Sequence, residues 1–350
     1  MRRITLASPM TSTPDTGMSR ARALRLAAGA AVLPLLLSAC GSGDSASADG
    51  AWEPDRPIEI TAPAATGGGW DTLARTSARL LESEELVDQS VQVVNKPGAG
   101  GAIGWAYIAG HEADPHKLFV TSPPILLVPM AGDSDHDHTD FTPIARLATD
   151  YMVYLVRADS DMETFDDLVA EVNENPGDIS VGGGSGPGSM DHVALAGALS
   201  GGGADPSDAG YIPFDGGGEA MTALLGGHVD AAVTGAGEAG GMLASGDLRA
   251  LAVSSSETIE AYPEVPTLLE QDVDFTFDIW RGVMAPAGLE EAQVAYYEEL
   301  FAELMESQAW QEESASFGWT DAYQDSADFG AFLDEKHDEF AEILSEVGLQ

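Results

Sequence analysis

The sequence has a single cysteine, few basic residues and no apolar run long enough to span a membrane comfortably. One cysteine in 350 residues excludes an intramolecular disulfide. Only 15 lysines and arginines stand against 58 aspartates and glutamates, giving a formal net charge of −43. Nucleic acid and anionic lipid are therefore poor partners, and we interpret the acidic excess as a solvated shell. The 44% hydrophobic content still permits a substantial core.

Residues 1–39 have the pattern of an export signal. Basic residues precede the apolar run LAAGAAVLPLLLSAC, which is short for a membrane span and ends in small residues. The LSA triplet before Cys40 resembles the lipobox of bacterial lipoproteins and predicts a lipid-modified cysteine. Residues 40–51 are small and polar, as in a flexible tether. We therefore expect an exported protein, held at the outer face of the cytoplasmic membrane by that lipid anchor only.

Strand-like runs recur before glycine-rich turns and helical patterns. These runs are IEITAPA, KLFVTSP, DISVGGG, GYIPFDGGG and VDAAVTG. Such βα alternation predicts an α/β fold with parallel sheets, in which ligands gather at the carboxyl ends of strands. Two further strand-like runs, 151–159 and 280–288, indicate two crossings between lobes. The predicted domains are 52–157 plus 281–350 for the first lobe and 158–280 for the second. The segments EAQVAYYEELFAELMESQAW and SADFGAFLDEKHDEFAEILSEVG are predicted C-terminal helices that pack outside the middle third.

The stretch TAPAATGGGWDTLAR places three glycines between a strand and a helix. Glycine allows a close approach of the backbone to a guest, and a helix start presents unpaired N–H groups with partial positive charge. The turn is therefore a candidate carboxylate site, with tight strand-helix packing as the alternative. Asp71 has two interpretations, a helix cap or a ligand contact. Trp70 and Trp280 are either walls of the cleft or ordinary core.

A second turn, in VGGGSGPGSMDHVALAGAL, repeats this arrangement. Ser185 and Ser189 add hydroxyl donors, and His192 is either a buried structural residue or a ligand-facing one. Arg281, in DIWRGVMAP at a predicted crossing, is the cation expected to bind a second carboxylate with two parallel hydrogen bonds. A salt bridge from Arg281 to an acidic neighbour is the alternative.

Three other patterns have weaker functional interpretations. GAGEAG (235–240) fits the GxGxxG dinucleotide pattern with Glu257 further on, but its late position favours one more βα turn lining the cleft. GSGPG lacks the final glycine of a GxSxG elbow around Ser185, which disfavours a hydrolase. DSDHDHTD (133–140) lacks the pattern of an EF-hand loop and indicates a surface loop. No catalytic set, metal or cofactor is predicted.

Long segments of the chain resemble the substrate-binding component of tripartite tricarboxylate transporters, also called the Bug family of periplasmic solute receptors. The resemblance runs from about Arg56 to the C-terminus, through PIEITAPAATGGGWDTLAR, VQVVNKPGAGGAIGWAYIAG, FTPIARL, YIPFDGGGEAMTALLGGHVDAAVTG and WRGVMAPAG. It implies a two-lobed, type II periplasmic-binding-protein-like fold. The interlobe cleft of such a fold closes on a carboxylate-bearing solute, which is then handed to a membrane permease.

In that family the glycine turns of both lobes hold carboxylate oxygens, largely through main-chain N–H groups. Gly184 belongs to the second of these turns. The chain departs from commoner members where Pro123-Pro124 follows Thr121-Ser122, and where Phe214-Asp215 replaces a frequent tyrosine-lysine pair. The predicted ligand-binding residues are Thr66, Gly67, Gly68, Gly69, Trp70, Asp71, Thr121, Ser122, Ser185, Gly186, Ser189, His192, Phe214, Asp215 and Arg281.

These observations together predict a monomeric, non-enzymatic receptor for a small di- or tricarboxylate such as citrate. Its expected partners are the solute and the permease subunits of a transporter. An extracytoplasmic sensor serving a two-component system is the first alternative, because some relatives of the family have that role. A secreted hydrolase or transferase using the same cleft is the second.

Overall fold

The computed structural model describes residues 52–349. The signal peptide predicted for residues 1–39, Cys40 and the tether lie outside the described residues. Within the described part of the chain, no helix is both long and apolar enough to cross a membrane.

The N-terminal part of the described chain alternates strands with helices. The elements are β1 (Ile58–Ala62), α1 (Gly69–Ser83), β2 (Val91–Asn95), α2 (Ala102–Ala109), β3 (Lys117–Thr121), α3 (Pro124–Met130) and the long β4 (Phe141–Arg157). β1 pairs in parallel with both β2 and β3, as βα units require. α1 buries Leu73, Leu80 and Leu81, and this apolar stripe holds the helix against the sheet.

The middle of the chain repeats the βα alternation. It contains α4 (Phe165–Glu174), β5 (Ser180–Gly183), α5 (Met190–Gly201), β6 (Gly210–Pro213), α6 (Gly217–Leu225), β7 (Ala231–Gly235), α7 (Ala236–Ser245) and β8 (Leu248–Val253). β5 lies between β6 and β7 and pairs in parallel with both. The glycine-rich turns after β5, β6 and β7 therefore lie at one edge of this sheet, where ligands of α/β proteins bind.

The C-terminal part returns to the first sheet and ends in helices. It contains β9 (Asp278–Pro286), α8 (Glu291–Glu306), α9 (Gln308–Ser316), β10 (Thr320–Gln324) and α10 (Ser326–Glu346). The interpretation of EAQVAYYEELFAELMESQAW as one helix is wrong, because α8 ends before Ser307. The Ser307 side chain accepts a hydrogen bond from the Trp310 N–H at 3.1 Å and starts a new helix as its N-cap.

The strand β4 joins two sheets. Residues 141–151 pair antiparallel with β9, whereas 152–157 pair antiparallel with β7 and β8. One sheet has the order β2-β1-β3-β9-β4-β10, and the other runs through β6, β5, β7, β4 and β8. At the crossing, the Met152 N–H donates to Ser254 Oγ at 2.9 Å, and that hydroxyl donates to the Phe277 carbonyl at 2.5 Å. Both crossing segments are therefore fixed to one buried serine.

The two-lobed α/β fold expected from the sequence is confirmed. β4 changes partners between Tyr151 and Met152, inside the strand that the sequence analysis assigned to the first lobe. The domain limits, 52–157 plus 281–350 for the first lobe and 158–280 for the second, stay a prediction.

The prediction that the C-terminal helices pack outside the middle third of the chain is wrong for the last helix. α10 contacts β4 and α3, but it also contacts α5. Its Phe340 ring stacks on Phe277 with ring centroids 5.6 Å apart, and its Phe329 meets Trp280 edge-on at 5.6 Å. The aromatic residues of α10 thus cover both sides of the crossing, and Trp280 belongs to the core.

Candidate functional site

The first glycine turn is shaped by Asp71. Gly67 has a φ of +94°, a conformation that favours glycine, and its N–H donates to Asp71 Oδ2 at 2.9 Å. Asp71 Oδ1 accepts hydrogen bonds from Arg75 Nε and Asn95 Nδ2, both at 2.8 Å. Burial raises the pKa of Asp71, but these hydrogen bonds outweigh burial and hold the pKa below its usual value. The interpretation of Asp71 as the N-cap is wrong, because α1 begins at Gly69 with Gly68 as its N-cap, and Asp71 fixes the turn from inside the helix. A ligand contact by Asp71 stays a prediction.

Trp70 and Ser122 are brought together beside this turn. The indole Nε1 of Trp70 donates to Ser122 Oγ at 2.9 Å, and the neighbouring Thr121 is fully buried. The Thr121 hydroxyl has no hydrogen-bond partner among residues 52–349. Thr66, in contrast, is exposed. The Gly68 N–H donates to no acceptor in the described part of the chain, which leaves a donor for a guest.

The second glycine turn is held by hydrogen bonds around Ser185. Its hydroxyl accepts from the Asp191 N–H at 2.9 Å, and its carbonyl accepts from the Tyr211 hydroxyl at 2.6 Å. Burial raises the pKa of the Asp191 carboxyl to about 6, although a hydrogen bond from Ser185 opposes the shift. Ser185 is therefore engaged in shaping the start of α5, and Gly186 beside it is open to its surroundings.

His192 and Ser189 lie at the same helix start. His192 Nδ1 accepts from the Gly188 N–H at 2.9 Å, and its ring stacks on Tyr211 with centroids 4.3 Å apart. Burial lowers the pKa of His192, which favours a neutral structural ring. Ser189 is buried, and its hydroxyl has no partner among the described residues. A ligand contact by Ser189 stays a prediction.

Gly184 marks the closest packing of the second turn. A Cβ there would overlap the backbone nitrogen of Gly217 and lie 2.5 Å from the carbonyl carbon of Gly216. We expect Gly184→Ala to lower the free energy of unfolding by about 2 kcal/mol, because backbone atoms cannot move aside as side chains do. Gly186→Ala is the matched control, since a Cβ there meets nothing within 4 Å. Equal chemical denaturation midpoints for the two variants would contradict this packing.

A cavity of about 180 Å³ lies between the lobes beside the first glycine turn. The first turn and its helix contribute Gly67, Gly69 and Thr72, and the second lobe contributes Gly218, Met221, Gly237 and Glu238. Arg281, Phe317 and Trp319 complete the lining. The cavity thus joins three of the predicted binding residues with helix starts of the second lobe.

Arg281 is buried at this cavity and paired with an acid. Its side chain is 4% exposed, and its Nη2 donates to Asp150 Oδ2 at 2.5 Å. The guanidinium carbon lies 4.8 Å from the ring centroid of Trp319. A Cβ on Gly69 would lie 2.6 Å from Arg281 Nη1. The salt-bridge alternative for Arg281 is thus realised, and the guanidinium also stands directly against the first glycine turn.

Glu238 is the residue at this site that sequence reasoning missed. Its Oε1 accepts a hydrogen bond from the Gly69 N–H at 3.1 Å. Burial raises the pKa of Glu238 to about 7; Arg281 opposes the shift, whereas Asp191 and Asp150 add to it. The sequence signal that could have indicated Glu238 is the acidic residue in GAGEAG, because the turn after β7 lies at the same sheet edge as the other glycine turns of this lobe. The sequence alone placed that turn at the cleft without assigning Glu238 a role.

The raised pKa of Glu238 predicts a pH-dependent stability. The folded protein holds this proton up to about pH 7, whereas the unfolded chain releases it near the ordinary glutamate pKa of 4.5. Stability is therefore lost as pH rises through this window. At about pH 8 we expect the free energy of unfolding of Glu238→Gln to exceed that of the wild type, by at most about 3 kcal/mol. At about pH 4 the two proteins should be equally stable. Glu219→Gln is the control, because Glu219 is the third residue of α6 as Glu238 is of α7, and it should leave the stability unchanged at both pH values. A stability difference between Glu238→Gln and the wild type that does not depend on pH would contradict the raised pKa of Glu238.

Phe214 and Asp215 are not among the residues that line this cavity. Phe214 is half-buried and faces Gly182, and Asp215 is exposed. No described contact joins Thr121 or Ser122 to the turn at Ser185. Among the described residues, no group of three or more His, Cys, Asp or Glu side chains is placed to hold a metal, and residues 133–140 connect α3 with β4.

The two lobes share strand β4, and glycine turns lie at one cavity between them. These features define the class of two-lobed solute-binding proteins. Residues 74–349 match the model of TctC, the tripartite tricarboxylate transporter family receptor. The chain belongs to this family, which confirms the resemblance inferred from the sequence.

Individual relatives agree with this membership. The chain is 28% identical over 323 residues to Protein BugT of Bordetella pertussis, covering 91% of this chain and 97% of that protein. A TctC solute binding protein from Polaromonas, solved without ligand, is 33% identical with a TM-score of 0.64, covering 84% of this chain and 99% of that chain. MatC of Rhodopseudomonas palustris, solved with bound malate, is 23% identical with a TM-score of 0.73, covering 83% and 99%.

Proposed function

We propose that this receptor captures a small di- or tricarboxylate between its lobes and delivers it to a membrane permease without chemical change. The observation that carries the proposal is the meeting of the Gly67–Gly69 turn, Arg281 and second-lobe helix starts at one interlobe cavity. Anchoring through a lipid on Cys40 and a monomeric state belong to the same proposal.

Local donors must hold the solute, because the long-range field opposes an anion. The net charge of −43 repels any carboxylate that approaches. At the cavity, the helix start of α1 and the Arg281 guanidinium supply N–H groups that favour negative charge. Each charge-assisted hydrogen bond contributes about 1.5–3 kcal/mol, so a few of them offset the repulsion.

Binding on both lobes couples the solute to closure. The cavity has one wall from α1 and another from α6 and α7, and a ligand that touches both favours the closed arrangement. Ser189 at the start of α5 is a further donor for a second carboxylate, because its buried hydroxyl is free of partners within residues 52–349. The malate bound to MatC supports a carboxylate as the class of solute.

A thermal-shift screen tests the proposal. We expect citrate, malate or succinate to raise the melting temperature of the purified protein, with about 2.7 kcal/mol of stabilisation at one hundred times the dissociation constant. Glucose is the uncharged control, and the bound acid should be recovered unchanged. Cooperative melting with no shift for any carboxylate would overturn the assignment of the solute class, and turnover of the acid would overturn the non-enzymatic role.

A further inference from the structure

Glu238 connects the two lobes through a hydrogen bond that the solute-binding role does not require. It is the third residue of α7, in the second lobe, and its Oε1 accepts from the N–H of Gly69, the first residue of α1. First-turn N–H groups of a helix have no acceptor within the helix. A carboxylate of one lobe therefore occupies the helix start of the other, at the position where a carboxylate ligand would be favoured.

Glycines at the starts of α6 and α1 make room for Glu238 and for the neighbouring Arg281. A Cβ on Gly217 would lie 2.6 Å from Glu238 Oε2. A Cβ on Gly69 would lie 2.6 Å from Arg281 Nη1. The glutamate is thus enclosed by the starts of α1 and α6. The Arg281 guanidinium lies beside Gly69, whose N–H donates to Glu238. A solute carboxylate reaching the Gly69 N–H must take the place of the Glu238 oxygen.

We propose that Glu238 is an interlobe latch of the ligand-free receptor, whose carboxylate holds the Gly69 N–H until a solute carboxylate displaces it. The displacement of Glu238 by a solute carboxylate rests on the proposed function, whereas the hydrogen bond between the lobes does not. Glu238 acts as a competitor: it keeps the lobes together without solute, and it lowers the affinity for any solute that uses the same donor.

The charges around Glu238 explain why displacement is feasible. Arg281 on β9 is the cation that faces it, while Asp150 on β4 and Asp191 on α5 are the neighbouring acids. The Tyr262 hydroxyl packs on the same helix and donates to the Ala236 carbonyl at 3.1 Å. A solute carboxylate adds a negative charge to this group. Glu238 then moves away or takes up a proton, and we expect binding to tighten as pH falls from about 8 to about 6.

Hydrogen exchange at the first glycine turn tests the latch without any solute. In the ligand-free protein, Glu238→Ala should speed exchange of the Gly69 amide by about tenfold or more, since the amide loses its acceptor. Glu219→Ala is the matched control, because Glu219 holds the corresponding position of α6 and is exposed. Unchanged exchange in Glu238→Ala, from a protein that melts cooperatively, overturns the latch.

Calorimetric titration with citrate, malate and succinate tests the displacement. We expect Glu238→Ala to bind the recognised acid about three- to tenfold more tightly than the wild type, and to lose the pH dependence of binding. Weaker binding by a folded Glu238→Ala protein would show that Glu238 is a ligand contact and overturn the competitor role. If exchange responds as expected but no acid binds either protein, the latch stands and the carboxylate function falls.

Discussion

Replacing Arg281 with alanine is expected to destabilise the protein by about 3–5 kcal/mol and to abolish carboxylate binding. The guanidinium is buried against Asp150, whose side chain is fully buried and 2.5 Å from Arg281 Nη2. Removing one partner of a buried ion pair leaves the other charge without compensation. Asp150 would still accept hydrogen bonds from the N–H groups of Tyr151 at 2.8 Å and Gly237 at 3.4 Å. These two hydrogen bonds offset only part of the cost. Urea denaturation measures the loss.

Two further variants separate the structural and binding roles of Arg281. Arg281→Ala combined with Asp150→Asn should recover most of the stability, because residue 150 then carries no unpaired buried charge, but it should not recover binding. Arg56→Ala is the control, since its pair with Asp114 is largely exposed and contributes about 0–1 kcal/mol. A double variant that binds citrate, malate or succinate as well as the wild type would remove Arg281 from the binding site.

Gly69→Ala is expected to weaken carboxylate binding by about a hundredfold, while Gly68→Ala leaves it within about threefold. The Cβ on Gly69 would stand 2.6 Å and 2.9 Å from the two terminal nitrogens of Arg281. The guanidinium must move, and the fold survives because a side chain rather than the backbone gives way. A Cβ on Gly68 meets only the Ala65 carbonyl at 3.9 Å, at a φ of −81° that alanine adopts freely.

Calorimetric titration of both glycine variants with the recognised acid measures this difference. The two substitutions are chemically identical and adjacent in the chain, so unequal effects report the space beside Arg281. Similar affinities for the two variants would mean that the solute does not depend on the position of the guanidinium.

The βα turns were predictable because their signals are local. Strand-like runs followed directly by glycines give the turn after β1 and the turns after β5, β6 and β7, and the structure places them as expected. The break at Ser307 was missed because the apolar pattern continues through it, and only the serine side chain, as a cap, separates α8 from α9.

The partners of the site could not be read from the sequence, because they meet across long stretches of chain. Asp150 and Arg281 are 131 residues apart, and Gly69 and Glu238 are 169 apart. With 58 acidic residues in the chain, composition gives an acidic neighbour for any arginine but does not say which one. Packing of β9 on β4, and of α7 against the first glycine turn, makes that selection.

A crystal structure of the receptor grown with malate or citrate would locate the solute. We expect one solute carboxylate within about 3 Å of the Gly68 or Gly69 N–H groups, beside Arg281, with Glu238 displaced from Gly69. A solute bound elsewhere, with the Glu238–Gly69 hydrogen bond intact, would contradict a carboxylate site at the first glycine turn.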